Sequence, residues 1–200
     1  MRKFVLIVLL SLALTSCQAI DQSEPEVFSG SPEELICQDA DMPGSYLLID
    51  DLSGARPNED LTIDIDNPDA SVRYIEATGR LEGWENRFML IEPTQNLPGF
   101  VLCQVVVFTS PEGAQAALDW QDDAEYQVLE SDRQIGDEMV LTQASFDAPD
   151  GSPWIDHRIE FTYLNLLGAI STYAPEDLAN PDYALDLAEV LYERMLDHTP

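Results

Sequence analysis

The nonapeptide Phe100-Val101-Leu102-Cys103-Gln104-Val105-Val106-Val107-Phe108 constrains this chain more than any other segment. Only Gln104 interrupts it. A strand that is apolar at both odd and even positions has no face to turn to water, so it must lie inside a sheet covered on both sides. A helix has to follow at once. Ser110 is the N-cap, Pro111 takes N1 and Glu112 meets the positive end of the dipole. Ala114, Ala117, Leu118 and Gln121 trace one face of it, with Ala117 and Leu118 expected against the sheet.

The surrounding pattern supplies the partners of that strand. Ile155 to Leu164 alternates strictly, with Ile159, Phe161 and Tyr163 on one face and Arg158, Glu160 and Thr162 on the other. One face of the sheet is therefore expected to be wet or covered by polar groups. Met139 to Phe146 leads into it through the turn-rich stretch Asp147-Ala148-Pro149-Asp150-Gly151, and Leu166 to Tyr173 returns as a hairpin. Tyr46 to Ile49, Thr62 to Ile65, Val72 to Ala77 and Trp84 to Glu92 read as further strands, with Asp50 to Asn58 as loop. Ser31-Pro32-Glu33-Glu34 starts a short helix that Pro43-Gly44 ends. A last helix opens at Asn180-Pro181 and runs to about Leu196, with Ala184, Leu187, Ala188, Leu191 and Met195 as its core face. Antiparallel hairpins with helices between groups of strands predict an α+β fold: a single domain, an antiparallel sheet with helices packed on it.

The first residues belong to a different kind of structure. Arg2 and Lys3 precede the apolar run Phe4 to Leu14. Eleven helical residues reach roughly 16 Å, about half a bilayer core, so the run reads as a signal h-region and residues 1–16 are excluded from the fold. The closing Leu14-Thr15-Ser16-Cys17 resembles the lipobox of bacterial lipoproteins. That resemblance implies a lipid on Cys17, cleavage before it, and a domain held by acyl chains (palmitate among them) on the extracytoplasmic face of a cell membrane, or of an outer membrane where the cell has one. The alternative is ordinary secretory cleavage near Ala19. With Cys17 carrying lipid, Cys37 and Cys103 remain as a pair for a disulfide bond in an oxidising compartment, or as two separate buried thiols. A bridge would close a loop of 66 residues, for which chain entropy gives roughly 4 kcal/mol. Residues 17–32 are rich in Ser, Glu, Pro and Gly and read as a lipidated tether. Residues 33–200 are then one globular domain.

Charge excludes one class of partner. The chain carries -29, and apart from Arg2 and Lys3 only seven basic residues face 38 acidic ones. Such a surface repels nucleic acid and anionic headgroups; it reads first as a solvated, self-repelling surface that keeps an exported protein soluble, and otherwise as one that attracts cations or a cationic or protein partner in the cell envelope. The segment Asp64-Ile65-Asp66-Asn67-Pro68-Asp69 imitates the start of a calcium loop. It fails at Pro68, where an oxygen ligand is needed, and at Asp69, where the sharp turn needs glycine. No metal ligands and no cofactor are expected.

A second resemblance lies in the C-terminal half. The strand Phe100 to Phe108, then Ser110-Pro111-Glu112-Gly113-Ala114, then Ile135-Gly136-Asp137-Glu138, the strand through Phe161, a turn at Asn165 and the final Leu187-Ala188-x-x-Leu191 helix follow in order. This resembles the sensor-like extracytoplasmic domains of bacterial lipoproteins and mycobacterial receptor kinases. In those a Gly-Asn turn joins the last two strands, whereas this chain has Leu164 before Asn165. The resemblance implies a ligand-sensing or interaction domain without catalysis.

No catalytic signature competes with that reading. His157 lies mid-strand and His198 near the end, so neither serves an H-E-x-x-H site. G-x-S-x-G, P-loop and G-x-G-x-x-G patterns are absent. Asp156 and His157 are strand neighbours pointing to opposite faces, and are read as surface or rim polar residues. Trp84, Trp120 and Trp154 are read as core or rim packing, with a sugar site as the other use for them. The leading expectation is a non-enzymatic ligand- or partner-binding lipoprotein. The alternatives are a small extracytoplasmic hydrolase using carboxylates, or a purely structural envelope component. A concave site separates the first two: convergent carboxylates with raised pKa would indicate the hydrolase, an apolar or aromatic cleft the binding module.

Overall fold

The computed structural model describes residues 27–43, 45–63, 68–91, 97–120 and 126–199. Cys17, the leader and residues 64–67 of the calcium-like segment lie outside them. One antiparallel sheet of eight strands organises the chain, with helices on both faces, the α+β arrangement expected from the hairpins. The strands are β1 (Tyr46–Leu48), β2 (Gly54–Arg56), β3 (Arg80–Leu90), β4 (Phe100–Phe108), β5 (Gln127–Leu129), β6 (Glu138–Asp147), β7 (Pro153–Tyr163) and β8 (Leu166–Pro175). Their order is β1-β3-β4-β8-β7-β6-β5, and β2 pairs with the other half of β3. β4 is central, as its unbroken apolar run requires.

The helices are α1 (Asn58–Ile63), α2 (Pro68–Thr78), α3 (Pro111–Leu118) and α4 (Pro181–His198). Ser110 caps α3 by accepting from the Gly113 amide, and Asn180 caps α4 by accepting from Asp182. α4 covers one face of the sheet. Leu187, Ala188, Leu191 and Met195 pack there with Val101, Val105, Ile159, Phe161 and Ile170 as the main core. Gly168 lets Phe161 lie flat across β8, since a Cβ there would meet the ring at 2.5 Å. Cys37 and Cys103 are bonded and fully buried in this layer. The other face holds a smaller cluster of Val106, Phe108, Leu167, Ala114, Ala117 and Leu118 beneath α3, with Tyr74 of α2 against it.

Four local expectations give way. Val72 to Ala77 is the body of α2, not a strand. Its β-favouring Val72, Tyr74 and Ile75 are overridden because Ser71, Tyr74 and Thr78 recur at helical spacing toward the protein, with Ser71 and Thr78 buried. Thr62 and Ile63 close α1 instead of opening a strand. The stretch from Asp50 to Asn58 is not loop alone: it holds a 3-10 turn and β2. The helix expected after Ser31 is two 3-10 turns, Pro32–Glu34 and Asp39–Asp41. Part of the segment read as tether also packs on the domain, because Phe28 is buried and Pro32 with it.

The β7–β8 turn explains the Gly-Asp and Asn positions physically. Leu164 sits at φ 52°, a conformation that costs a non-glycine residue about 1–2 kcal/mol. Neighbours hold it there. The Asp137 carboxylate accepts from the Leu164 amide at 3.1 Å, and the Asp137 amide donates to the Thr162 carbonyl at 2.8 Å. Asn165 is buried, accepts from the Phe28 amide at 2.6 Å and donates to the carbonyls of Phe28 and Phe108. Three chain segments are thereby tied at one point.

Candidate functional site

Strand register places the residues of the second face in rows. Met89, Phe100, Tyr173, Asp156 and Ala144 form one row across the sheet. Arg87, Leu102, Ser171, Arg158 and Thr142 form the next, then Glu85, Gln104, Ala169, Glu160 and Val140. Helices α2 and α3 cover only the end beyond the third row. Among the described residues the rest of this face holds an aromatic groove at one end and a polar floor between that groove and α2 and α3.

The aromatic end is a cavity of about 440 Å³ lined mainly by Leu52, Leu102, Phe100, Phe146, Trp154 and Tyr173. Phe146 and Trp154 are cross-strand partners, with ring centroids 6.4 Å apart, and Phe100 lies 6.4 Å from Trp154. Tyr173 meets Phe146 edge to face at 6.2 Å. Phe100 and Phe146 are each more than two-fifths exposed, at 41% and 43%. The β6–β7 turn closes this end through Ala148 and Pro149, where Asp150 accepts from the Ser152 hydroxyl and amide.

The polar floor is built from arginines and acids. Glu85 is buried and receives Arg87 Nε at 2.5 Å and Arg56 Nη2 at 3.3 Å. Arg158 Nη2 donates to Glu160 at 2.7 Å. Two groups in this floor are left over. Asp156 is only 5% exposed, yet its buried Oδ1 has no hydrogen-bond partner. Arg158 Nε is buried and equally unpartnered. Burial pushes the Asp156 carboxyl up to about 6, with Arg158 opposing the shift. Beyond them a second cavity of about 260 Å³ is lined by Gln104, Arg158, Glu160, Tyr74 and Trp120. Tyr74 and Trp120 meet edge to face at 5.4 Å.

The sequence-derived candidates separate onto the two faces. Trp84 is a core-side residue whose Nε1 donates to Asn86. Trp154 lines the aromatic groove and Trp120 the second cavity. Asp156 and His157 do point to opposite faces, but neither is a surface or rim residue: each is 5% exposed. β7 is flanked on both sides, and α4 covers the face that carries His157. Burial lowers the His157 pKa. His157 faces a small cavity of about 130 Å³ with Thr172, Asp182 and Tyr183. His198 is exposed at the end of α4, with its Nδ1 2.9 Å from the Arg194 carbonyl. Cys37 and Cys103 lie on the α4 side, away from the groove.

Phe100, Phe146, Tyr173 and Arg158 were not singled out by sequence reasoning as one site. The usable signal was Trp154-x-Asp156-x-Arg158-x-Glu160, an alternate face mixing an aromatic ring with charges, which neither core nor plain solvent explains. Among the described residues the groove and its polar floor offer no pair of carboxylates for hydrolysis. Asp156 and Glu160 are four residues apart on one strand, about 13 Å, beyond the roughly 5–9.5 Å that such chemistry uses. Glu85 lies three strands away from Asp156 and is already held by two arginines. Among the described residues no three His, Cys, Asp or Glu side chains group as a metal site. No helix among them is long and apolar enough to cross a membrane.

No family model and no curated protein matches the chain. Among solved structures it is similar to the extracellular domain of PknH from Mycobacterium tuberculosis. The two are 15% identical with a TM-score of 0.48, over 84% of this chain and 97% of that one. A likeness this distant carries no argument about the role of this chain, which rests on the groove.

Proposed function

We infer that the protein is a non-enzymatic binding module, exported and held to the membrane by lipid on Cys17, which takes a ligand in the groove on the second face of its sheet. One observation carries the binding half of this reading: a concave, aromatic-walled cavity of about 440 Å³ with no carboxylate among its described lining residues. Two exposed phenyl rings beside a half-buried tryptophan are a costly surface for an unliganded protein, and recognition is the usual reason to keep one. The anchoring half rests on the leader and on Leu14-Thr15-Ser16-Cys17.

Each half has its own test. Cells expressing the full chain and fed radioactive palmitate should label the wild type and not Cys17→Ala; equal labelling removes the anchor. Purified protein titrated with the neutral fluorophore N-phenyl-1-naphthylamine should show saturable uptake that Phe100→Ala and Trp154→Ala each weaken. Uptake unaffected by both variants would remove the groove as the binding site.

A further inference from the structure

We propose that the aromatic cavity takes a long-chain monocarboxylic acid, with the alkyl chain among the rings and the carboxylate on Arg87. The inference rests on the binding role assigned to this cavity above and specifies its ligand. Three features of the cavity support it.

The first is the lining. Leu52, Leu102 and the rings of Phe100, Phe146 and Trp154 make the walls apolar. Among the described lining residues Arg87 is the one charged side chain. The Trp154 indole N–H is already spent on the Ser152 hydroxyl, at 3.1 Å. Such walls offer few partners to the hydroxyls of a sugar or the edges of a nucleobase, and a polar group that enters unpaired is costly. An alkyl chain loses no hydrogen bond there and gains for each methylene taken out of water.

The second is the set of the rings. Phe100 and Trp154 are tilted by 44°, Phe146 and Trp154 by 43°, and Phe146 and Tyr173 by 74°. None of these pairs is parallel, so none forms a slot that would sandwich a flat ligand. A flexible chain follows such an angled wall by rotating about its single bonds. The volume, about 440 Å³, lies within the span of small-molecule sites.

The third is charge. The Arg87 side chain is 41% exposed and gives only its Nε to Glu85. Among the described residues neither Nη of Arg87 has a protein partner, and neither is shut away from solvent. Glu85 is shared with Arg56, so two guanidinium groups face one carboxylate and one positive charge is left over. Arg56 also donates to the carbonyl of Leu52 at 2.7 Å, which ties this charged pair to the cavity wall. Two free Nη nitrogens make a fork that a carboxylate fits. A phosphate monoester would bring a second negative charge into the field of a chain at -29, with no second surplus cation to meet it. The acids of the flanking turns, Asp50, Asp51, Asp147 and Asp150, are not among the lining residues. One negative charge on an apolar body is the match.

The test is displacement of N-phenyl-1-naphthylamine from the purified protein by octanoate, decanoate, dodecanoate and tetradecanoate, each below its micelle-forming concentration. The matching methyl esters and alkyl phosphates are run beside them. The acids should displace the fluorophore, with affinity rising about fourfold per added methylene until the cavity is full. Each methyl ester should bind about tenfold more weakly than its acid. Arg87→Gln should weaken the acids about tenfold and the esters less than twofold, Arg87→Lys should retain part of the preference for the acid, and Arg73→Gln on the exposed side of α2 should do neither. Circular dichroism confirms that each variant is folded. Fluorophore uptake that none of the acids displaces overturns the chain assignment and leaves the cavity as a site. Acid and ester binding alike, or an Arg87→Gln variant that keeps the difference between them, overturns the carboxylate on Arg87. Alkyl phosphates binding more tightly than the acids overturn the singly charged head. Absence of both fluorophore uptake and acid binding overturns this inference and the binding role together.

Discussion

The two faces of the sheet are made from the same strands and have opposite characters. On the α4 side most rows are apolar, with Phe161 over Gly168, Cys103 bonded to Cys37 and Ile159 beside Ile170, and the His157–Thr172 pair is a polar exception. On the other side α3 and α2 stop partway, and rings and charges share the remaining rows. The difference arises from parity alone, since neighbouring residues of β7 feed opposite layers. It teaches that in this fold one set of alternate positions holds the domain together while the interleaved set is free to carry chemistry.

The largest expected effect tests the closed face. Phe161 is fully buried, lies across Gly168 and meets Tyr192 of α4 edge to face at 6.0 Å. Phe161→Ala removes a ring that nothing nearby can replace and should cost about 3–5 kcal/mol, read as a fall in the urea midpoint. A cost below about 1 kcal/mol would mean that α4 is not the lid of the core, and the comparison of faces would fail.

How much of this was legible in sequence also divides by face. The α4 side announced itself: the period of α4, the alternation of Ile159, Phe161 and Tyr163, and the run through β4 are hydrophobic patterns, and burial is what such patterns encode. The capped starts of α3 and α4 were readable for the same local reason. α2 was not, because Val72, Tyr74 and Ile75 carry strand propensity and only packing against α3 and the sheet decides otherwise. Nor was the site. Phe100, Phe146, Trp154 and Tyr173 come from four strands, β4, β6, β7 and β8, and only strand register brings them together. The β7–β8 turn marks a limit of motif reading. Leu164 occupies the place of a glycine, yet Asp137 and Asn165 hold the turn closed around it.

A smaller effect probes the open face through pH. Asp156 has its carboxyl raised to about 6 from 3.8 by burial, so the folded state prefers it protonated. Its contribution is most favourable below about pH 3.8 and is lost as pH rises through about 6. Asp156→Asn keeps the shape without the ionisation. The stability difference between Asp156→Asn and wild type should therefore grow in favour of the variant from pH 4 to about pH 6 and level off above. Chemical denaturation at a series of pH values measures it. A flat difference across that interval would show that Asp156 is solvated or paired, and the polar floor would lose one of its two unpartnered groups.

The smallest expected stability change is the sharpest statement about the groove. Phe146 has the same side chain as Phe161 and sits on the neighbouring strand, but it is 43% exposed and on the opposite face. Its truncation leaves no closed cavity, because water fills the space, so Phe146→Ala should change stability by less than about 1 kcal/mol. The same variant removes one wall of the aromatic cleft and should weaken uptake of the neutral fluorophore. Stability and binding thus move in opposite senses at the two phenylalanines: Phe161 is needed for the fold and does not touch the cleft, whereas Phe146 is dispensable to the fold and lines it. A Phe146→Ala protein as unstable as Phe161→Ala would mean that the rings of the second face are core after all, leaving the exposed cleft without a reason to exist.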